Sequence, residues 1–315
     1  MRNRNFITIG LLFFLSISLC GQNQNKKTTE TIQTNKGMLF TLKNESHDCS
    51  YEVLVNDVPV VSYFGLGGGY SSKKEINQYM LQPGRQEITI RIYPQKKTEA
   101  SFENVISKNA KVKITILKSK EPMSMLDILA AKEKGEQYEW QVVFFETSKI
   151  DADLPYKEFK TAFDVTDKDI TWKIKGWAES KDLRNDSKLR QQVDVFYEKF
   201  KDILTNKKQQ EYVDLLKTSI QEEALSKPWY GSDFGKDLAN EMFKYAGEER
   251  NFIFPCQNAE LKFYGNGKMV TLVCKDLLSY GYSPLISKTA KNAMPKVHTI
   301  YLHKSKNSDE LKIIR

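Results

Sequence analysis

The sequence predicts a two-part protein: an N-terminal all-β antiparallel sandwich over 38–180, then an α+β part over 181–315 with helices packed on an antiparallel sheet. Short segments before residue 180 place apolar residues on every second position, as in Ile88, Ile90 and Ile92 and in Val112, Ile114 and Ile116, so each strand buries one face. Between Ser187 and Gly247 apolar residues recur instead at intervals of three and four, the helical period. Beyond Gly247 the two-residue period returns around Gly265-Asn266-Gly267, a hairpin signal because Asn and Gly both tolerate positive φ.

In chain order, Arg2 and Arg4 precede an apolar stretch from Phe6 to Leu19, and no acidic residue occurs before Glu30. This is the order of charge and hydrophobicity of a secretory signal, over 1–21. The stretch is shorter than the roughly twenty residues a helix needs to span a bilayer. Cleavage after Gly21 discards Cys20. Alternatively, Ile17-Ser18-Leu19-Cys20 resembles a bacterial lipobox, whose family carries a lipid on that cysteine; Leu19 departs from the small residue lipoboxes use there. Either ending takes the protein out of the cytoplasm, to the periplasm, the outer-membrane surface or the medium, and a lipid on Cys20 would be its one membrane link. Residues 22–37 are Gln, Asn, Lys and Thr with almost nothing apolar, a flexible tether.

Strands are expected at Met38–Lys43, Tyr51–Val55, Val58–Phe64, Ile76–Leu81, Glu87–Tyr93 and Lys111–Lys118, with turns at Asn56-Asp57 and Gln82-Pro83-Gly84. One helix interrupts, started by Pro122, faced by Met125, Leu126, Leu129 and Ala130, and stopped by Gly135. Strands resume with Tyr138, Trp140, Val142 and Phe144, then Phe159–Val165 and Ile170–Ile174, and the charged stretch from Glu179 to Asp186 marks the boundary. Repeated short antiparallel strands of this kind predict a sandwich.

Three helices follow. Leu189, Val193, Phe196, Phe200 and Leu204 stripe the first; Tyr212, Leu215, Leu216 and Ile220 the second; Phe234, Leu238, Met242 and Tyr245 the third, which stops at Gly247. Leu261–Tyr264 and Lys268–Cys274 form one hairpin, and Val297–His303 with Leu311–Ile314 a second. Helices followed by hairpins, closing on Thr299-Ile300-Tyr301-Leu302-His303 and Leu311-Lys312-Ile313-Ile314, resemble the cone-shaped nuclear transport factor two-like fold over 187–315. The resemblance implies a fold and assigns no functional residue.

The formal charge of +8 falls to +6 without Arg2 and Arg4, and the lysines alternate with acids. No basic block interleaved with aromatics appears, so a nucleic-acid partner is not expected. Outside the cytoplasm disulfides persist. With Cys20 removed or lipidated, Cys49, Cys256 and Cys274 leave at least one thiol unpaired within the chain. Folding the hairpin about Asn266-Gly267 sets Cys274 opposite Ala259, so a Cys256–Cys274 pair needs a bend; three separate buried thiols are the alternative.

Gly65-Leu66-Gly67-Gly68-Gly69 leads into a strand pattern without Lys-Ser/Thr, which a phosphate loop would need, and reads as an interstrand loop. On one strand His298 and His303, five apart, would point to opposite faces and could not share a metal, so no metal or cofactor is expected. Either could serve as a lone base beside Asp276 or Glu260. Gly-x-Ser-x-Gly and His-Glu-x-x-His are both missing. In Lys227-Pro228-Trp229-Tyr230-Gly231, two large aromatics either line a pocket or plug the gap between helices and sheet. The residues singled out for ligand binding are Trp229, Tyr230 and His298. The expected function is an exported, non-catalytic binding or interaction protein of a bacterial cell envelope, with a protein or glycan partner. The alternatives are a small-molecule carrier or enzyme whose pocket lies in the α+β part, and an inhibitor or immunity protein.

Overall fold

The computed structural model describes residues 37–122, 124–253, 258–289 and 295–315. The leader, Cys20, the tether as far as residue 36, and Cys256 lie outside them. In the first part the elements are β1 (Leu39–His47), β2 (Ser50–Val55), β3 (Val58–Tyr63), β4 (Ser71–Glu75), β5 (Gly84–Tyr93), β6 (Lys96–Thr98), β7 (Ser101–Phe102), β8 (Lys111–Ser119), α1 (Met125–Glu133), β9 (Glu139–Glu146) and β10 (Lys157–Val165). Two four-stranded antiparallel sheets result, ordered β4-β1-β8-β9 and β10-β5-β2-β3. Their inward residues form one core that includes Phe40, Leu42, Val53, Ile90, Ile114 and Phe163. This is a sandwich, and the alternating pattern is its cause: in β5 the side chains of Ile88, Ile90 and Ile92 are fully buried.

Two expected strands are not strands. Ile76–Leu81 holds a 3₁₀ turn, Asn77–Tyr79, and the paired strand lies earlier, at β4. The Asn77 side chain accepts from Phe40 N at 2.8 Å and donates to Met38 O at 3.0 Å, satisfying the start of β1 as a neighbouring strand would. Ile170, Trp172 and Ile174 are buried alternately as expected, yet the segment joins no ladder; Trp172 Nε1 donates to Met80 O at 3.3 Å instead. The helix after Pro122 forms, capped by a reciprocal Ser124–Asp127 box, but its apolar side is not covered: Leu126 is 77% and Leu129 49% exposed.

The second part contains α2 (Leu189–Thr205), α3 (Gln209–Leu225), α4 (Phe234–Ala246), β11 (Arg250–Phe252), β12 (Ala259–Tyr264), β13 (Met269–Cys274), β14 (Ile286–Thr289), β15 (Lys296–Val297), β16 (Leu302–His303) and β17 (Lys312–Ile313). The α2 stripe Leu189, Val193, Phe196, Phe200 and Leu204 is buried against Val270, Leu272, Leu302 and Ile313, each side chain contributing about 1.5–3 kcal/mol. The hairpin turn is Gly265–Lys268, and Gly265, Asn266 and Gly267 all have positive φ. A Cβ on Gly267 would sit 2.5 Å from Arg184 Nε. Ala259 faces Cys274 in the register, as the turn dictates. The expected strand Val297–His303 divides between sheets: Val297 pairs with Ile286 in β11-β14-β15, whereas Leu302 pairs with Val270 and Ile313 in β12-β13-β16-β17.

The described residues belong to the compact unit Asn35–Arg315. A third core cluster, with Leu54, Val58, Trp177, Tyr264, Met269 and Ile314, draws on both parts. Glu52 on β2 reinforces it, accepting from Lys262 Nζ at 2.8 Å and Tyr264 OH at 2.8 Å on β12. Cys49 is a free, buried thiol and Cys274 is disulfide-bonded. Three separate thiols are therefore not found, and the Cys256 end of the expected Cys256–Cys274 pair lies outside the described residues.

Candidate functional site

Residues opposite one another in an antiparallel sheet point to the same face, and alternate residues share a face. In the small sheet Arg250 pairs with Thr289, Phe252 with Ser287, and Ser287 with Lys296. Arg250, Phe252, Ser287 and Lys296 therefore share one side. Continuing the alternation from Lys296 brings His298 to that side too, and the contacts agree. His298 Nε2 lies 2.7 Å from Ser287 Oγ, and its ring is 5.8 Å from Phe252. Helices close over this face. The His298 ring lies 6.2 Å from Phe200 of α2 and 6.0 Å from Tyr245 of α4, and its Nδ1 is 3.4 Å from Tyr245 OH.

Between this face and helices α2, α3 and α4 is a cavity of about 280 Å³. Phe200, Tyr212, Leu216, Leu238 and Met242 give it apolar walls; Tyr245, Lys296, His298, Glu223 and Arg315 bring polar groups to it. It lies just under the usual ligand-pocket range of about 300–1,000 Å³. Burial first, then the nearby Arg250 and Lys296 charges, push the His298 imidazole down to about 4, so it is neutral at pH 7. Burial and Arg250 also lower the Lys296 ammonium, with Glu248 opposing them. Burial raises the Tyr245 phenol to about 12. The ring of Tyr245 is flanked by cations, with Arg250 Cζ 3.6 Å and Lys296 Nζ 3.9 Å from its centre.

Ser287 and His298 have the spacing of a nucleophile and its base, but Ser287 is fully buried and is not part of the cavity wall. The acids weighed from the sequence as partners for His298 are engaged elsewhere: Asp276 accepts from Asn258 N at 3.3 Å and Glu260 pairs with Lys275 at 3.1 Å. His303 does not approach His298; its Nδ1 meets Ser180 Oγ at 2.7 Å.

Trp229 and Tyr230 line no wall of this cavity. Trp229 packs against the sandwich core with its ring edge toward Trp172, 6.2 Å away, which is the plugging role. Tyr230 stacks on Phe234 at 4.6 Å and donates to Glu75 Oε1 at 2.6 Å, beside a separate cleft of about 290 Å³ lined by Thr41, Glu75 and Glu139. Two larger hollows, of about 700 and 750 Å³, are open grooves along the helices lined by exposed side chains such as Val195 and Leu225. The displaced group in the first, Asp309, is an exposed carboxylate lowered by its hydrogen bond with Lys181, whereas His298 and Tyr245 are displaced by burial, so the smaller His298 cavity is the stronger site. Among the described residues no cluster of His, Cys, Asp or Glu has the makings of a metal site.

Arg250, Lys296, Tyr245 and Ser287 were not singled out from the sequence. Lys296-Val297-His298 carries the signal in principle, because residues two apart on a strand share a face. Recognising it requires knowing that β15 pairs with β14. Compared with protein-family models, curated proteins and solved structures, the chain matches none.

Proposed function

We propose that the protein is an exported binding protein of a bacterial cell envelope that holds a small organic ligand, without transforming it, in the cavity around His298. The observation that carries this reading is the cavity's composition. Aromatic and aliphatic walls surround a few convergent polar groups, and the histidine among them is neutral with both ring nitrogens near hydroxyl groups. A group so engaged orients a ligand better than it shuttles protons. The disulfide at Cys274 supports export, since such bonds persist in oxidising compartments. The nuclear transport factor two-like resemblance belongs to the same proposal, supported by α2–α4 preceding the hairpins with the cavity between them.

Thermal melting against a panel of small acids, amines and sugars tests it. A ligand at about a hundred times its dissociation constant adds roughly 2.7 kcal/mol of stability. The expected result is a compound that raises the wild-type melting temperature but not that of Leu216→Trp, which fills the cavity. Turnover of the bound compound, lost in His298→Gln, would overturn the non-catalytic part.

A second reading, a protein partner, is favoured by one corner of the molecule. Leu66 in the glycine loop forms a bridge with Lys96, and Lys96 Nζ donates to Leu278 O at 3.1 Å. Leu66, Leu277 and Leu278 are there 45%, 49% and 58% exposed. A photo-crosslinker at position 278 in living cells should give one discrete adduct that a crosslinker at position 126 does not. Identical adducts from both positions would remove this reading.

A further inference from the structure

The outer face of the sandwich carries a second cleft that shares no lining residue with the His298 cavity. In β1 the side chains of Phe40 and Leu42 turn into the sandwich core, so Leu39 and Thr41 turn out of it. The ladders set Glu75 opposite Thr41, and Ser119 and then Glu139 in line with Leu39, so all five share that outer face. Ile128 of α1, Tyr138 and Tyr230 wall the cleft, whose volume is about 290 Å³. Thr41 lines it while only 5% exposed, and its hydroxyl neither donates to nor accepts from any described residue. A buried hydroxyl is ordinarily bonded, because losing water without gaining a partner is unfavourable.

The charges around the cleft are already answered. Glu75 meets Lys227 at 2.9 Å, and Glu139 meets Lys73 at 2.7 Å and Lys43 at 3.6 Å. Lys227 also serves Glu223, and Glu121 is exposed to water. Four carboxylates thus face three ammonium groups, and the surplus charge is the solvent-screened one on Glu121. Ion-paired carboxylates keep lone pairs for further donors, and the Lys73 ammonium keeps N–H groups for acceptors. A hydroxyl is the neutral group that meets both needs at once.

We infer that this cleft binds a single neutral sugar ring. Its hydroxyl groups bond to Thr41, Glu75, Glu139 and Lys73, and its C–H faces lie against Leu39, Ile128 and the two tyrosines. The cleft volume, at the lower end of the ligand-pocket range, sets the size at one ring. Neither the residues of this site nor its test depends on His298.

The test is calorimetric titration of the mature chain at pH 7 with glucose, galactose, mannose and N-acetylglucosamine, each free and as its methyl glycoside, and with cyclohexanol as a ring lacking the further hydroxyls. At least one sugar should bind, about tenfold or more tighter than cyclohexanol. Thr41→Val keeps the shape of the side chain and removes a hydroxyl that bonds to nothing in the fold, so it should melt as wild type does and bind that sugar roughly fivefold more weakly. Glu139→Gln should weaken it at least as much, and keeps the test decisive should Thr41→Val fold poorly. Leu216→Trp, which fills the His298 cavity, should leave the affinity unchanged. Acceptance of the methyl glycoside identifies the terminal ring of a glycan, its rejection a free sugar. Absence of binding by every sugar, equal binding of cyclohexanol, or wild-type affinity in either folded variant overturns the inference. Loss of sugar binding in Leu216→Trp overturns it too, by placing the sugar at His298, and leaves the binding-protein reading standing.

Discussion

Two buried charged groups, one in each part of the chain, are answered in opposite ways. In the sandwich, Glu52 is 2% exposed and fully answered: it accepts from Tyr93 OH at 2.9 Å, Lys262 Nζ at 2.8 Å and Tyr264 OH at 2.8 Å. In the α+β part, Arg250 is as deeply buried and has two nitrogens with no partner among the described residues. A satisfied network fixes one arrangement of its elements, here the docking of β12 on β2; an unsatisfied one lowers stability unless something else uses it. The contrast separates a polar group that builds the fold from one whose donors the described residues leave unanswered.

The sharpest way to break that contrast is to remove one group from each side. Glu52→Ala strands Lys262, Tyr264 and Tyr93 around a missing anion, and urea unfolding should show a loss of about 3–5 kcal/mol. Arg250→Met removes a charge that was never fully paired, and the same measurement should show a loss under about 1 kcal/mol or a gain. Reversal of that order would mean Arg250 is structural. Acid gives a second view of Glu52. Burial alone would raise its carboxyl, but the Lys262 charge and the hydrogen bonds from Lys262, Tyr264 and Tyr93 outweigh burial and leave it below the usual carboxylate value. Its contribution is therefore complete above about pH 4.5 and is lost as the pH falls toward the lower folded value.

His298 sharpens the comparison on the other side, with a smaller effect and the same sign for a different reason. Its folded pKa of about 4 is below the unfolded value of 6.5, so between these limits the unfolded chain takes up a proton that the folded chain refuses. Stability linked to this residue is complete above pH 6.5 and declines as the pH falls toward 4. By pH 5 the decline should reach roughly 2 kcal/mol. The check is the difference between wild type and His298→Gln in urea midpoint at pH 7.5 and pH 5; a difference that does not change with pH would mean that the imidazole titrates normally.

Much of the fold was legible because it depends on local period. The alternation in Ile88, Ile90 and Ile92 and the stripe from Leu189 to Leu204 each admit one element, and the Gly265-Asn266-Gly267 turn even set the register that places Ala259 opposite Cys274. What failed depends on non-local partners. Ile76–Leu81 has strand-like residues, but Asn77 bonds to β1 through its side chain, and nothing in the segment announces that. The candidate site was legible at one residue. His298 could be suspected for its rarity, whereas Arg250 sits outside any element the pattern revealed and reaches Lys296 only through the β11-β14-β15 pairing. Trp229 drew notice for its size, and size is what a plug needs.

The smallest expected effect contrasts two helices. The helix α2 is held by its buried stripe, so its cap contributes little: no side chain caps its N-terminus. The helix α1 is the reverse. Leu126 and Leu129 are open to solvent, and its visible support is the box in which Ser124 Oγ accepts from Asp127 N at 3.2 Å and Asp127 Oδ2 accepts from Ser124 N at 3.0 Å. A short helix with as little tertiary cover as the burial of Ala131 gives is marginal in water, so its cap weighs heavily in whether it forms. Ser124→Ala should therefore cost about 1 kcal/mol locally, seen as a roughly fivefold loss of hydrogen-exchange protection in α1, while the global urea midpoint stays put. Should that midpoint fall by the same 1 kcal/mol, α1 would be unfolding together with the sandwich, and its exposed leucines would be less isolated from the core than their accessibility implies.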